Sequence, residues 1–377
     1  MSAAARPQAQ EQSAAKRFTR IISDNRVGLL IMITVLFVTI GSLKPMFYST
    51  DFVIAPMLTN IAIFTVIGLA QMMALSVGQM NLAVGGMASA GALATGIVLQ
   101  RFDAPLVVGI IAGVIAGSLL GALCGLLIAR AGVNAFVVTF AMNFALLGLV
   151  PTVYSWASPD AAISVDTPGL AELGRQTLDQ VCIGAMCGPK GVPVLLLISI
   201  VAMILIGALY SRMRVGREIL LTGSNDQAAL LSGIPVARRL ITVHMISGAL
   251  AALAGIMLGA STGSFTPAIG QDFMLQSFLG PILGGTLLTG GAVSVLGTML
   301  GITLTVVIRQ GLLIFQVGVE WLNILLGLIL LIALSSDRIR TVVGQRNALR
   351  QTLAKPQPPG PGAPPSDAAA AQMESTR

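Results

Sequence analysis

Apolar runs of about twenty residues recur along almost the whole chain, and that spacing dictates the class of fold. An α-helix rises about 1.5 Å per residue, so about twenty apolar residues cross the hydrocarbon core of a bilayer. Segments 27–43, 53–77, 82–100, 105–129, 133–151, 193–210, 241–262, 275–291, 294–315 and 318–335 meet the pattern. The third and eighth are short and glycine-rich, which brackets the count at about nine to eleven spans. Only helices and closed barrels satisfy every backbone group in lipid. The sequence therefore predicts an all-α, polytopic transmembrane helix bundle of about ten spans. Only 10% of residues are charged and 55% are apolar, against about a quarter charged in soluble domains.

This composition excludes several function classes. One histidine, three cysteines and few acids leave little material for a catalytic or metal site. The net charge of +7 is compatible with nucleic acid, but the basic residues cluster at the ends of apolar runs, which points to the membrane surface instead. The arm 1–26 is polar, with Arg6, Lys16, Arg17, Arg20 and Arg26. The run after it lacks a small-x-small cleavage site before Lys44-Pro45, so it reads as a retained first span and not a signal peptide. The tail 336–377 is polar and rich in proline and alanine, and reads as disordered.

Charge also sets orientation. The arm, the connector 211–240 and the tail hold most of the lysines and arginines, and cytoplasmic loops carry that excess. Ten spans place all three on one side, with both termini in the cytoplasm. The loop 152–192 then lies outside, and it carries Asp160, Asp166, Glu172 and Asp179 against Arg175 and Lys190. Its Cys182 and Cys187 are compatible with a disulfide or with two free thiols.

Glycine marks two kinds of site. Gly109, Gly113, Gly117, Gly121 and Gly125 recur every fourth residue and so share one helix face. A stripe without side chains lets another backbone approach, either within one protomer or across a dimer seam. Gly255, Gly259 and Gly263 repeat the spacing, as do Gly297 and Gly301. Segments 78–86 (GQMNLAVGG) and 284–291 (GGTLLTGG) look instead like breaks in a span. Unwound backbone is tolerated in a membrane only beside a cavity or inside protein, so such breaks often line a transport route. Gly78, Gln79, Asn81, Gly85, Gly284, Gly285, Gly290 and Gly291 are the candidate pathway residues. Other polar groups in the spans are few. Arg309 can snorkel to the interface, in preference to a pathway role, and Glu320 on the same side can pair with it. Asn143 and Asn323 suit interhelical hydrogen bonds, and His244 reads as an interfacial histidine.

The connector, SRMRVGREILLTGSNDQAALLSGIPVARRL, is large for a loop between spans. Ser224 to Gln227 fits a capping box with Ser224 at the N-cap. Asp226 favours the positive helix end, Gly233 fits the left-handed stop, and Pro235 prevents continuation. The expected helix has about two turns and is too short to stand alone in water. It reads as a coupling helix parallel to the membrane and seated in another protein.

The connector and the second glycine segment resemble the permease subunits of ribose-type ABC importers. Gly216, Arg217, Gly223, Asn225, Ala228, Ala229, Ser232, Gly233 and Ile234 match that family's connector pattern. The segment SGALAALAGI follows at 247–256, and Gly284, Gly285, Gly290, Gly291, Gly297, Thr298 and Gly301 match the glycine motif. The resemblance runs from about Asn60 to Leu334. The chain departs from it at Gln79, where the family carries glycine, at Asn81, where it carries aspartate, and at Met274, where it carries an acid. The resemblance implies a machine built from this permease with a second copy or a paralogue, two ATPase subunits or one tandem ATPase, and a periplasmic solute-binding protein. It implies a location in the bacterial inner membrane, and an ATPase-coupling role for Arg217, Gly223, Ser224, Asn225, Ala228, Ala229 and Gly233. The chain has no G-x-x-x-x-G-K-[ST] loop to cradle a nucleotide, so ATP and Mg belong to the partner, and no cofactor is expected on this chain.

The expected cargo is a monosaccharide or similar small polar solute. A related ABC permease for branched-chain amino acids or nucleosides keeps the mechanism and changes the cargo. Among ion-coupled secondary transporters, a proton-coupled one usually needs an ionisable group inside the membrane, and spans two to five hold none away from their ends; a sodium site built from carbonyls and Asn81 stays open. An intramembrane transferase would need clustered acids or histidines that the chain lacks.

Overall fold

The computed structural model describes residues 25–157, 163–164, 169–180, 182–183, 186–187 and 191–318, with isolated positions between 321 and 331. Every element named below falls in one compact unit that ends at Leu330. The helices in order are α1 (Asn25–Leu43), α2 (Ala55–Leu75), α3 (Val84–Phe102), α4 (Leu106–Ala131) and α5 (Ala135–Ala157). Then come α6 (Leu170–Arg175), α7 (Leu195–Arg212), α8 (Arg214–Ser224), α9 (Asp226–Leu231), α10 (Val236–Thr262), α11 (Phe273–Leu283) and α12 (Val295–Ile314). Among the described residues, 7 helices are long and apolar enough to cross a membrane. The chain is an all-α polytopic membrane protein.

Two expected spans differ. The third is a helix of 19 residues, α3, whose glycines, serine and polar end lower its hydropathy. The eighth was expected over 275–291, but α11 has only 11 residues. At about 1.5 Å per residue it reaches halfway through a bilayer. Gly285, Gly290 and Gly291 all take positive φ, so the backbone after Leu283 leaves the helix although its side chains stay apolar. The expected tenth span, the arm and the tail lie largely or wholly outside the described residues, as do Glu320 and Asn323.

Helix α2, extended by a short π-turn at Thr50–Ile54, and helix α10 form the centre. In each, 61% of the most apolar window is buried, against 17–44% in the other long helices. The glycine stripe of α4 explains how α10 comes to be enclosed. A methyl at Gly117 would lie 2.5 Å from the Gly248 carbonyl oxygen and against the Ala252 methyl. One at Gly121 would strike the His244 carbonyl, and one at Gly125 would lie 2.7 Å from the Ile241 Cα. Gly113 and Gly109 meet α3 at Thr95 and Leu99. The stripe is therefore filled within one chain. Dispersion between closely approached backbones holds these helices together where lipid offers no hydrophobic drive.

Short strands cover the far end of α10. Strand β1 (Ile163–Ser164) pairs antiparallel with β4 (Ser264–Phe265), Ile163 opposite Phe265. Those two side chains, with Leu99, Tyr154, Leu170 and Ala260, form a separate apolar cluster. In the same loop β2 (Cys182–Ile183) pairs with β3 (Met186–Cys187), which sets the backbones of Cys182 and Cys187 opposite each other. These two-residue ladders were not expected in an all-helical chain.

Candidate functional site at the connector junction

The connector folds into two helices where one was expected. Helix α8 is amphipathic: Gly216, Ile219 and Thr222 are buried on one face, while Arg217 and Leu221 are exposed on the other. Gly216 lets it turn sharply from α7, because a Cβ there would strike the Leu209 carbonyl. Arg239 at the start of α10 clamps it from the other side, its Nη2 2.6 Å from the Glu218 carboxylate.

The expected capping box is displaced by one residue. Asn225, not Ser224, is the N-cap of α9, and its Oδ1 accepts from Ala228 N–H at 2.9 Å. Ser224 is the last residue of α8 and bonds back to the Leu220 carbonyl at 2.9 Å. The cap needs extended backbone, which Asn225 has (φ −163°, ψ 107°) and the last residue of a helix cannot. Helix α9 ends as expected, with Gly233 at φ +79°. Its tip is open: Ala228 is exposed, Leu230 is 60% and Leu231 90% exposed, and Ala229 faces inward.

The corner between α8 and α9 is where the two glycine breaks meet. A Cβ on Gly223 would strike the Ser76 carbonyl oxygen and lie 2.7 Å from Gly291 N. Gly291 N–H donates to that same Ser76 carbonyl at 3.0 Å. A Cβ on Gly290 would lie 2.6 Å from Gly78 N and 2.8 Å from Gly223 O. Gly78 faces the Thr289 carbonyl at 2.8 Å by the same measure. Gly290 sits at φ +88°, a conformation that side chains resist, so this packing is open to glycine and little else. Three backbone segments, 76–78, 223–224 and 289–291, thus converge on one point. The structure joins Gly223 and Ser224, read from sequence as coupling residues, to Gly78, Gly290 and Gly291, read as pathway residues.

Other candidates lie elsewhere. Gly85 packs on Gly270, where a Cβ would sit 2.5 Å from the carbonyl, and Gly284 packs on Gly297. Gly285 and Thr289 are exposed beside the junction. Asn225, Ala228, Gly233 and Arg217 sit on the exposed side of the connector. Asn81 is fully buried, its Nδ2 donating to Ser247 Oγ at 2.9 Å and its Oδ1 accepting from Ala83 N–H at 3.0 Å. Gln79 Oε1 lies 2.8 Å from His244 Nε2, so His244 is a buried partner of the first break. Ser247 donates to the Ala70 carbonyl at 2.7 Å. Gln71, fully buried, bonds the backbone of Asn81 once its amide is oriented to match. Ser76, Ser247 and the His244 bond went unread in the sequence, because their partners are distant along the chain. Away from the junction, the Arg309 guanidinium stands 5.8 Å from the Phe64 ring centre.

Residues 53–334 match the family described as branched-chain amino acid transport system, permease component. The D-allose transport system permease protein AlsC of Escherichia coli K12 is 26% identical over 329 residues, covering 87% of this chain and 96% of that protein. The probable ABC transporter permease protein YphD of the same organism is 30% identical over 342 residues, 90% of this chain and 98% of that one. The ribose import permease protein RbsC of Bacillus subtilis 168 is 32% identical over 148 residues, covering 39% of this chain and 46% of RbsC. No solved structure matches. A match over most of the chain, joined to seven membrane-length helices among the described residues and a connector packed on two glycine breaks, places this protein in that family: it is a multi-pass permease subunit of an ABC transport system and not the subunit that hydrolyses ATP.

Proposed function

We propose that this chain carries a monosaccharide or similar small polar solute inward across the bacterial inner membrane, driven by ATP hydrolysed on a partner. The observation that carries the reading is the three-way junction. The connector's α8–α9 corner touches both glycine breaks through backbone, so a push on the connector reaches the breaks with no flexible side chain between. The exposed Leu230 and Leu231, on a connector that also exposes Arg214, Arg217 and Arg238, suit a seat in an ATPase subunit. Buried in such a seat, an apolar tip would contribute about 25 cal/mol per Å². In this reading the connector and both termini are cytoplasmic, ten spans cross the membrane, and Thr152–Val192 faces a periplasmic solute-binding protein. A second permease copy or a paralogue completes the pathway, and two ATPase subunits or one tandem ATPase drive it.

A sugar is favoured over a branched-chain amino acid because AlsC, a D-allose permease protein by name, matches over nearly its whole length. Substituting Ala228→Cys tests the reading. With a bifunctional thiol reagent, the cysteine should cross-link to the co-purifying ATPase, and proteoliposome uptake of ribose, allose, xylose or galactose should require ATP inside the ATPase-facing compartment. Labelling of that cysteine from the exterior of intact cells, or uptake by the purified chain alone, would overturn it.

A further inference from the structure

Two side chains at the first break depart from the glycine and aspartate that the resemblance would place there, and both bond to one face of α10. Gln79 pairs with His244 at 2.8 Å, and Asn81 pairs with Ser247 at 2.9 Å. His244 and Ser247 are three residues apart, hence on one helix face. His244 is fully buried and Ser247 likewise. With Gln79 Oε1 facing it, His244 Nε2 carries the proton, and Nδ1 is buried with no hydrogen-bond partner among the described residues. Among the described residues the imidazole makes one hydrogen bond, so Gln79 alone sets its hydrogen bonding.

The start of α10 is also the end of the connector, since only Pro235 stands between Ile234 and the first helical residue, Val236. The connector thus reaches the first break twice. One route is the backbone contact of Gly223 with Ser76. The other runs from α9 through α10 to His244, eight residues along, and across to Gln79, with the buried Asn81–Ser247 bond one turn farther along α10. A contact made of packed glycines transmits a push but not a pull, because separating it meets only dispersion. The hydrogen bond between half-buried Gln79 and buried His244 resists separation.

We propose that Gln79 and His244 form a latch that makes the first break follow α10 when the connector withdraws. They are positioning residues: neither needs to touch cargo. The inference rests on the importer reading, and the experiment separates the two. A cysteine at the exposed Thr289, in a background with Cys182 and Cys187 replaced by serine, reports on the junction by maleimide labelling. The permease is assayed with its co-purifying ATPase in proteoliposomes, with and without ATP and vanadate. The latch predicts that Gln79→Gly and His244→Leu each reduce the ATP-dependent change in labelling, per ATP hydrolysed, by about five- to ten-fold. Their combination is no worse than either alone, and the swap Gln79→His with His244→Gln restores the response. Gln79→Gly keeps the experiment decisive if His244→Leu fails to assemble, because Gln79 is only half-buried. A wild-type response in Gln79→Gly overturns the latch. So does a response and an ATPase rate that fall in equal proportion, which marks a merely structural bond. Absence of any ATP-dependent change in the unsubstituted pair overturns the importer reading itself, and the latch with it.

Discussion

Gly223→Ala tests the junction with the smallest possible perturbation, one methyl group. That methyl would lie 2.7 Å from Gly291 N and 3.0 Å from the Ser76 carbonyl carbon, and closer still to the Ser76 oxygen. All three are backbone atoms, so no side chain can rotate away. The segments must separate by several tenths of an ångström, and overpacking of this kind costs about 1–3 kcal/mol. The Gly291–Ser76 hydrogen bond at 3.0 Å shares the point and stretches with it, which adds about 1 kcal/mol. At about 2 kcal/mol or more, the docked corner loses about thirty-fold in population against the undocked one. Uptake per ATP hydrolysed in proteoliposomes should fall by that order, while the remote helix packing and the thermal midpoint change little. Gly207→Ala, on α7 with nothing within 4 Å, is the control, and it should stabilise the helix by about 0.5–1 kcal/mol. If Gly223→Ala transports as many molecules per ATP as the unsubstituted protein, the junction does not couple, and the argument from backbone contact fails.

Three further outcomes are expected. Gly117→Leu should lower membrane yield and thermal midpoint, because the side chain enters between α4 and α10 where even a methyl meets the Gly248 carbonyl at 2.5 Å; an unchanged melting profile would contradict the packed stripe. Asn225→Ala should raise hydrogen exchange across Asp226–Leu231 by an amount matching about 1 kcal/mol, whereas Ser224→Ala should not; the reverse ranking would restore Ser224 as the cap. Arg239→Gln should cost no more than about 1 kcal/mol, since the Glu218 pair is 20% and 28% exposed, and its effect should shrink as salt rises.

The spans were legible because lipid imposes one rule along the whole chain. Length and hydropathy alone locate α1, α2, α4, α7 and α12 to within two residues at each end, but miss the end of α5 by six and the start of α10 by five. The half-length α11 was not legible from hydropathy, because Leu287, Leu288 and Ala292 keep the average high after the helix has stopped. Glycine spacing flagged the break, but that the break bends toward Ser76 depends on a contact more than two hundred residues away in sequence. The cap error has a similar origin. Ser224 and Asn225 are both good N-cap residues, and the choice between them is made by α8, whose amphipathic pattern runs through Ser224. Coupling and pathway residues were readable as two separate sets from two separate motifs. Their meeting at one point is a property of tertiary packing, and no local pattern carries it.

Asn81 shows how such a packing choice fixes a residue type. The Ser247 hydroxyl spends its only proton on the Ala70 carbonyl at 2.7 Å, so it offers residue 81 a lone pair. Residue 81 must also accept from Ala83 N–H at the start of α3. A side-chain amide does both, one atom accepting and the other donating. A carboxylate has no proton to donate, and its second oxygen would face the Ser247 lone pair in a fully buried site. Asn81→Asp, which restores the residue of the family pattern, should therefore destabilise the protein by about 3 kcal/mol or more, exceeding Asn81→Ala at about 1–3 kcal/mol. Thermal midpoints of the two variants in one detergent decide the ranking. Should Asn81→Asp melt with or above the unsubstituted protein, then either Ser247 has turned its proton toward residue 81 or the carboxyl has taken one up, and the match between Asn81 and α10 is not what selects the amide.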